Sequence, residues 1–256
     1  MFKNLITQSS GLKLEVNDYI DLPIGTIPLN YGYTDDFSIS VILQTKSLGL
    51  LQNCIHINYG QFGFFFYFLI GVRFAGDITL IWNNTFYQAL FSRISYDTLL
   101  NSDKTHIVVT RPANGVVGKM YINGQEILTD FLDLGATATS TSSLSNQIGA
   151  NNSSTSFLNA DMYKLTHFNK ILDLAEVTEL FTTQGEIIPI TAQSNVVANY
   201  KFKEKEGFVN NDSSINSLHG NIINKSISDV TIGATNSWLY ANGQPFDYSK
   251  FSLLKI

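Results

Sequence analysis

Arginine, cysteine and glutamate are scarce in this 256-residue chain, and each shortage argues against a class of structure or function. Only three arginines occur, Arg73, Arg93 and Arg111, so bidentate recognition of phosphate or guanine has few side chains to use. The single cysteine, Cys54, excludes an intrachain disulfide and any zinc or iron–sulfur site built from several cysteines. Glutamate, a good helix former, occurs seven times, which favours strands over helices.

Charged residues are also few, at 14% of the chain, and the net charge is −5. A negative chain does not attract the phosphate backbone, so we expect no nucleic-acid partner. The longest apolar run, 62–72, is too short to cross a bilayer as a helix, so we expect no membrane partner. The first ten residues lack the apolar core of a signal peptide. The 44% of hydrophobic residues is enough for a folded core.

Aromatic residues are abundant, with 18 Phe, 12 Tyr and 2 Trp, and they favour strands. Alternation of apolar and polar residues and the positions of turn residues predict the individual strands. These lie at 12–16, 37–43, 105–111, 116–122, 125–128, 196–202 and 220–223. Asn123-Gly124 is a strong hairpin signal, because both residues tolerate a positive φ. Short strands divided by polar turns predict an all-β fold, either a sandwich or a barrel.

One short helix is predicted from Asp173 to Phe181. Asp173 can cap its first turn, and Glu176 can complete a capping box. Gly185 follows as a stop signal. The predicted apolar stripe consists of Leu174, Val177, Leu180 and Phe181.

The run 62–70 is apolar on both faces of the strand that it predicts. Phenylalanines alternate on one face, and the other carries Phe65, Tyr67 and Leu69. A sandwich strand usually has one polar face, so these three side chains would form an exposed apolar patch if left bare. We expect residues 1–186 to form the main β-domain. Residues 187–256 are predicted to be a linker and a β-rich C-terminal extension. Phe65, Tyr67 and Leu69 are then an interface with that extension or with a neighbouring subunit.

Four segments resemble, in the usual order, the motifs of the laminin G-like, concanavalin A-like jelly-roll superfamily. They are Leu12–Pro23, Asp36–Val41, Thr105–Gly124, and Ile148-Gly149 followed by Phe157–Phe181. A further segment, 200–220, resembles the Asp-Ser-Ser…His-Gly piece that often flanks such domains. Thr105 stands where the family commonly has tryptophan, and Ala160 where it has glycine. The resemblance implies an all-β fold of two antiparallel sheets packed as a sandwich, the jelly roll, over roughly residues 10–185.

Hydrolytic activity is not favoured, although the superfamily includes glycoside hydrolases. Retaining enzymes need two carboxylates about 5–5.5 Å apart, which this family commonly sets on one strand as Glu-x-Asp-x-x-Glu. The chain contains no such string, and Glu204 and Glu206 alternate with Lys203 and Lys205. We therefore predict no catalytic residues.

Glycan binding needs an exposed aromatic surface beside amides or carboxylates. The segment around residues 82–87 supplies these types, and we predict Trp82, Asn83, Asn84 and Tyr87 as ligand-binding residues. The alternative is that Trp82 and Phe86 belong to the core.

Calcium is bound at one rim by many laminin G-like domains, and two segments are weak candidates here. One is 210–216, and the other combines Asp77 with Asn83 and Asn84. An EF-hand loop beginning at Asp212 would need glycine and glutamate where the chain has Ser217 and Ile223. We predict no metal site or cofactor and leave calcium open.

The family implied by the resemblance is commonly displayed outside cells, whereas this sequence shows no export signal. A bacteriophage virion protein satisfies both, since it is made in the host cytoplasm and released by lysis. We therefore predict a non-catalytic virion component, of the fibre or capsid-decoration type. Its partners would be other virion proteins, copies of itself, or a cell-surface glycan. The alternatives are a carbohydrate-binding module of a bacterial surface protein and, third, a glycoside hydrolase.

Overall fold

Two antiparallel β-sheets contain almost all the regular structure of the described part of the chain. The structure, a computed structural model, describes residues 11–14, 18–22, 35–45, 51–59, 62–69, 77–83, 86–92, 104–114, 116–136, 146–150, 157–204, 209–224 and 238–239. Within these ranges, the description of residues 45, 51–92, 130–136, 146, 224 and 238–239 is of the backbone alone. No helix among the described residues is long and apolar enough to cross a membrane.

Sheet A has eight strands in the described ranges. They are β1 Gly11–Leu14, β3 Phe37–Thr45, β8 Thr105–Arg111, β9 Lys119–Ile122, β10 Gln125–Ile127, β13 Ala160–Phe168, β14 Val196–Tyr200 and β17 Trp238–Leu239. The order is β10-β9-β8-β3-β13-β1-β17. One edge of the long strand β13 pairs with β3, and the other is shared, with β1 along 160–162 and β14 along 165–168.

Sheet B has nine strands in the described ranges. They are β2 Asp18–Leu22, β4 Leu51–Tyr59, β5 Phe62–Leu69, β6 Asp77–Asn83, β7 Phe86–Ser92, β11 Thr129–Ala136, β12 Asn146–Ile148, β15 Val209–Asn210 and β16 Gly220–Asn224. The order is β11-β7-β6-β5-β4-β12-β2-β16-β15. The aromatic strand β5 is therefore paired on both edges and does not present an open edge for aggregation.

The core lies between the two sheets. Phe37, Ile39 and Val41 alternate along β3 into it, and Ile20 and Ile148 enter it from sheet B, all fully buried. Burying each such side chain contributes roughly 1.5–3 kcal/mol. The predicted two-sheet antiparallel sandwich with a short helix is thus confirmed, and the arrangement is that of a jelly roll.

The predicted hairpin is confirmed in its turn and corrected in one strand. Asn123 and Gly124 have φ of 49° and 79°, as the tight two-residue turn requires. The Asn123 side chain also accepts the His106 N–H at 3.0 Å. The second strand begins at 119 rather than 116, and Val116 and Val117 are exposed.

The predicted helix is confirmed as α1, Leu174–Thr182, and it covers the outer face of sheet A. Its capping box is complete, because Asp173 accepts the Glu176 N–H and Glu176 accepts the Asp173 N–H. Val177 and Leu180 pack on the outer side chains of sheet A. Leu174 was predicted in the apolar stripe but is 54% exposed, because it lies at the first turn, beyond the packed face.

Strands from both sides of residue 186 pair within each sheet. In sheet A, β14 pairs with β13, and in sheet B, β16 pairs with β2. The division of the chain at residue 186 into a domain and an extension stays a prediction.

Candidate functional site

The predicted glycan-binding residues lie on the β6–β7 hairpin of sheet B. Asn83 pairs with Tyr87, and Trp82 pairs with Gln88. Asn84 lies outside the described residues. Successive residues of a strand belong to opposite faces of the sheet. Asn83 and Tyr87 therefore share one face of sheet B, and Trp82 belongs to the other.

The pairing register across sheet B shows which of these faces is the inner one. Ile148 of β12 is a core residue, so its neighbour Gln147 belongs to the outer face. One register row runs through Gln147, His56, Phe65 and Ile81. Because Ile81 precedes Asn83 by two residues, the register places Asn83 and Tyr87 on the outer face of sheet B. Trp82 belongs to the inner face, in agreement with the core alternative for that residue.

The same register places the predicted interface residues. Phe65, Tyr67 and Leu69 alternate with core-face positions along β5 and so share the outer face with Asn83 and Tyr87. These positions are described by their backbone alone, so the interface stays a prediction.

A row of paired residues that is rich in amides lies on the same outer face, next to these aromatic positions. Asn58 of β4 pairs with Gly63, which pairs with Asn83, which pairs with Tyr87. Two amides and a phenol thus occupy one row across four adjacent strands. This row contains the residue types that hydrogen-bond to and stack on sugars.

A cluster of four lysines around Glu186 lies on the opposite side of the sandwich, over sheet A. This lysine cluster was not predicted from the sequence. Lys203 donates a hydrogen bond to Glu186 at 2.7 Å. Burial raises the pKa of Glu186, but the Lys203 hydrogen bond and the charges of Lys164, Lys203 and Lys201 outweigh burial and lower it below its usual value. Burial lowers the pKa of Lys104, and the charge of Glu186 only partly opposes that shift. Among the described residues, four positive charges therefore surround this carboxylate.

Lys164 is the buried member of this lysine cluster. Its side chain is 2% exposed, and its Nζ has no hydrogen-bond partner among the described residues. Burial lowers the pKa of Lys164 to about 8; Glu186 opposes the shift, and Lys201 and Lys203 add to it. Gly185, at φ +67°, packs closely over its stem, since a Cβ there would lie 3.1 Å from the Lys164 Cγ. The lysine cluster therefore combines charged groups at the surface with a buried ammonium group, that of Lys164, which has no hydrogen-bond acceptor among the described residues.

An aromatic ring borders the lysine cluster. The Lys104 Nζ lies 4.0 Å from the centre of the Tyr163 ring, within the range of a cation–π contact. Tyr163 precedes Lys164 at an irregularity in the pairing of β13 with β3. Only tertiary pairing brings 104, 164, 186 and 201–203 together, so no local sequence signal marks this cluster.

The weak calcium candidate 210–216 is built around a carboxylate that is already hydrogen-bonded. Asp212 accepts the N–H groups of Asn199, Ser214 and Leu218 and the Ser214 hydroxyl, at 2.6–2.8 Å. Its role in this turn is structural. Within the described ranges, no group of three or more His, Cys, Asp or Glu side chains could hold a metal ion. The second candidate, around Asp77, falls on residues whose side chains are not described.

A family model covers more than half of the chain. Residues 14–178 match a laminin G-like model of the concanavalin A-like lectin/glucanases superfamily. The chain belongs to this superfamily. The predicted family is thus confirmed, whereas its virion context stays a prediction. No curated protein gives a significant match.

Solved structures resemble this chain at low sequence identity. A candidate carbohydrate-binding protein from Bacteroides ovatus is 13% identical with a TM-score of 0.59, over 85% of this chain and 58% of that one. The chain thus spans little more than half of that protein. Ruminococcus gnavus IT-sialidase CBM40 bound to α2,3-sialyllactose is 13% identical with a TM-score of 0.48, over 68% of this chain and 99% of that one. Domains LG4-5 of the mouse laminin α1 chain are 10% identical with a TM-score of 0.46, over 65% and 44%.

Proposed function

We propose that the chain is a non-catalytic glycan-binding module, which is the carbohydrate-binding alternative drawn from the sequence. Membership of a lectin and glucanase superfamily supports glycan contact. The Bacteroides ovatus protein, which shares the fold, is itself a candidate carbohydrate-binding protein.

The observation that carries the proposal is the outer-face row of sheet B that contains Asn58, Asn83 and Tyr87. Amides pair with the hydroxyls of a sugar, and a tyrosine ring can stack on its apolar face while its hydroxyl hydrogen-bonds. In this proposal Asn83 and Tyr87 bind the sugar, and Trp82 supports the hairpin from the inner face.

The experiment is glycan-array binding by the full chain, followed by titration of the best ligand against single variants. We expect Asn83→Ala and Tyr87→Ala to weaken binding at least tenfold, the effect of losing about 1.4 kcal/mol, with little change in stability. Trp82→Ala should instead lower the melting temperature. Asn221→Ala, an exposed site on strand β16 of the same sheet, is the matched control. Equal binding by Tyr87→Ala and the control would contradict the proposed site, and the absence of any glycan ligand would contradict the function.

The surroundings of Glu204 support the absence of catalysis in this proposal. Its Oε1 accepts the backbone N–H of Asn211 at 2.8 Å, so this carboxylate helps to anchor the chain beside the Asp212 turn. Release of reducing sugar that is lost in Glu204→Gln would show that it is catalytic instead.

The virion role and assembly in the host cytoplasm stay predictions from the sequence. Mass spectrometry of purified phage particles would test them directly.

A further inference from the structure

We infer that Lys104, Lys164, Lys201 and Lys203 form a second ligand site, over sheet A, for the carboxylate or sulfate group of an acidic sugar. This site goes beyond the proposed row of Asn83 and Tyr87. That row lies on the outer face of sheet B, at the opposite side of the sandwich.

The concentration of positive charge is the first argument. The whole chain has 16 basic residues against 21 acidic ones, yet four lysines are gathered around Glu186 in the described part of the chain. Charges of one sign gathered at one place attract an anion well beyond the effect of each alone. A protein of net negative charge gains nothing in solubility from such a local excess of positive charge, which points to a ligand.

The unpartnered Nζ of Lys164 is the second argument. An ammonium group carries three hydrogen-bond donors, and a buried one without acceptors is costly. Lys164 is buried and lacks a partner in the described part of the chain. Lys201 and Lys203 continue directly from strand β14, which pairs beside Lys164 on the same edge of β13. An anion seated between them would supply the counter-charge that Glu186 alone does not.

Glu186 and Tyr163 suggest how the site discriminates among ligands. Glu186 is half exposed and hydrogen-bonded to Lys203, so it occupies the position that a ligand carboxylate would take and competes with it. The Tyr163 ring adjoins Lys104 and offers an aromatic edge beside the charges. A charged group next to an aromatic surface fits an acidic sugar better than a small inorganic anion.

The test is calorimetric titration of the full chain with D-glucuronate and with N-acetylglucosamine 6-sulfate, using glucose and inorganic sulfate as comparison probes. We expect both acidic sugars to bind more tightly than glucose and than inorganic sulfate. A Lys203→Met variant, altered at an exposed position, should raise the dissociation constant about two- to fivefold, the range for one exposed ion pair. Lys164→Met should also weaken binding, and Glu186→Gln should strengthen it.

Lys119→Met is the matched control, because Lys119 is an exposed lysine paired with Glu126 on the β9–β10 hairpin. It should leave the dissociation constant unchanged. If Lys119→Met weakens binding as much as Lys203→Met does, the lysine cluster is not the site. Glucose or inorganic sulfate binding as tightly as the acidic sugars would overturn the inference. Asn83→Ala and Tyr87→Ala separate the two proposals, since they should abolish binding of the array ligand and leave glucuronate binding intact.

Discussion

Asp212 and Lys164 are both charged and almost completely buried, at 4% and 2% exposure, but their surroundings differ. The Asp212 carboxylate accepts four hydrogen bonds, three of them from backbone N–H groups. The Lys164 ammonium donates none to the described residues. A buried charge stabilises its surroundings only when protein groups replace the water that it has lost. Asp212 therefore organises its turn, whereas Lys164 carries a buried charge without a hydrogen-bond acceptor in the described part of the chain.

Glu176 shows that the fold can satisfy a buried charge by other means. It accepts hydrogen bonds from Lys170, Thr191 and the Asp173 N–H. Burial opposes ionisation, but these hydrogen bonds and the Lys170 charge lower the pKa of Glu176 below its usual value. Among these three buried groups, only Lys164 lacks such partners.

The largest effect is expected from Asp212→Ala. The change would leave backbone N–H groups of Asn199 and Leu218 buried without an acceptor, and each such loss costs about 1–3 kcal/mol. We expect the free energy of unfolding to fall by about 4 kcal/mol, measured by urea denaturation. Asn211→Ala, one residue earlier and exposed, should change it by less than about 0.5 kcal/mol. Similar losses in the two variants would show that Asp212 does not organise the turn.

Acidification should reveal two buried bases that resemble Lys164 in being hard to protonate. Burial lowers the pKa of His106 to about 4, and it lowers that of His167 to about 4 although the Asp212 charge opposes it. Their usual pKa is 6.5, so between pH 6.5 and 4 the unfolded chain binds more protons than the folded chain does. The free energy of unfolding therefore decreases as the pH is lowered through this range. Each histidine should contribute about 2 kcal/mol of this loss between pH 7 and pH 5.

Replacing either histidine measures how much that histidine contributes to the loss of stability at low pH. Thermal unfolding of His106→Gln and His167→Gln at pH 7 and pH 5 should show a smaller loss than the wild-type chain. An unchanged pH dependence in both variants would mean that the histidines are protonated or exposed in the fold.

The fold was predictable because its signals are local. Alternation along β3, the Asn123-Gly124 turn and the Asp173–Glu176 capping box each lie within a few residues of sequence. The face of Trp82 was not predictable, because it depends on pairing that runs from β12 through β4 and β5 to β6. The environments of Asp212 and Lys164 depend likewise on β14, which joins sheet A from far along the chain.

Lys164→Met should be neutral or stabilising, in contrast to Asp212→Ala. Methionine keeps most of the volume of the stem that packs against Gly185, and it removes an ammonium group that has no hydrogen-bond acceptor among the described residues. Because the folded pKa is about 8 and the usual value 10.5, the unfolded chain holds more protons between these limits. Burial of the protonated Lys164 therefore lowers the free energy of unfolding by its full amount below pH 8, and this loss disappears as the pH rises to 10.5.

The difference between Lys164→Met and the wild-type chain should therefore depend on pH. We expect the variant to be more stable by about 1–2 kcal/mol at pH 7, with the gap closing by pH 10.5, in urea denaturation at both values. A variant that is less stable at pH 7 would show that Lys164 has a partner in the folded chain.

The smallest effect is expected from Asp173→Ala, which removes the same kind of hydrogen bond that Asp212 accepts. Asp173 accepts the Glu176 N–H at 2.9 Å, but it is exposed, so water can replace it when it is removed. Loss of an N-cap costs about 1 kcal/mol, roughly a quarter of the loss expected for Asp212→Ala. Glu179→Ala, an exposed change on the same helix, controls for charge and should cost less. If Asp173→Ala costs as much as Asp212→Ala in urea denaturation, then burial is not what distinguishes the two aspartates.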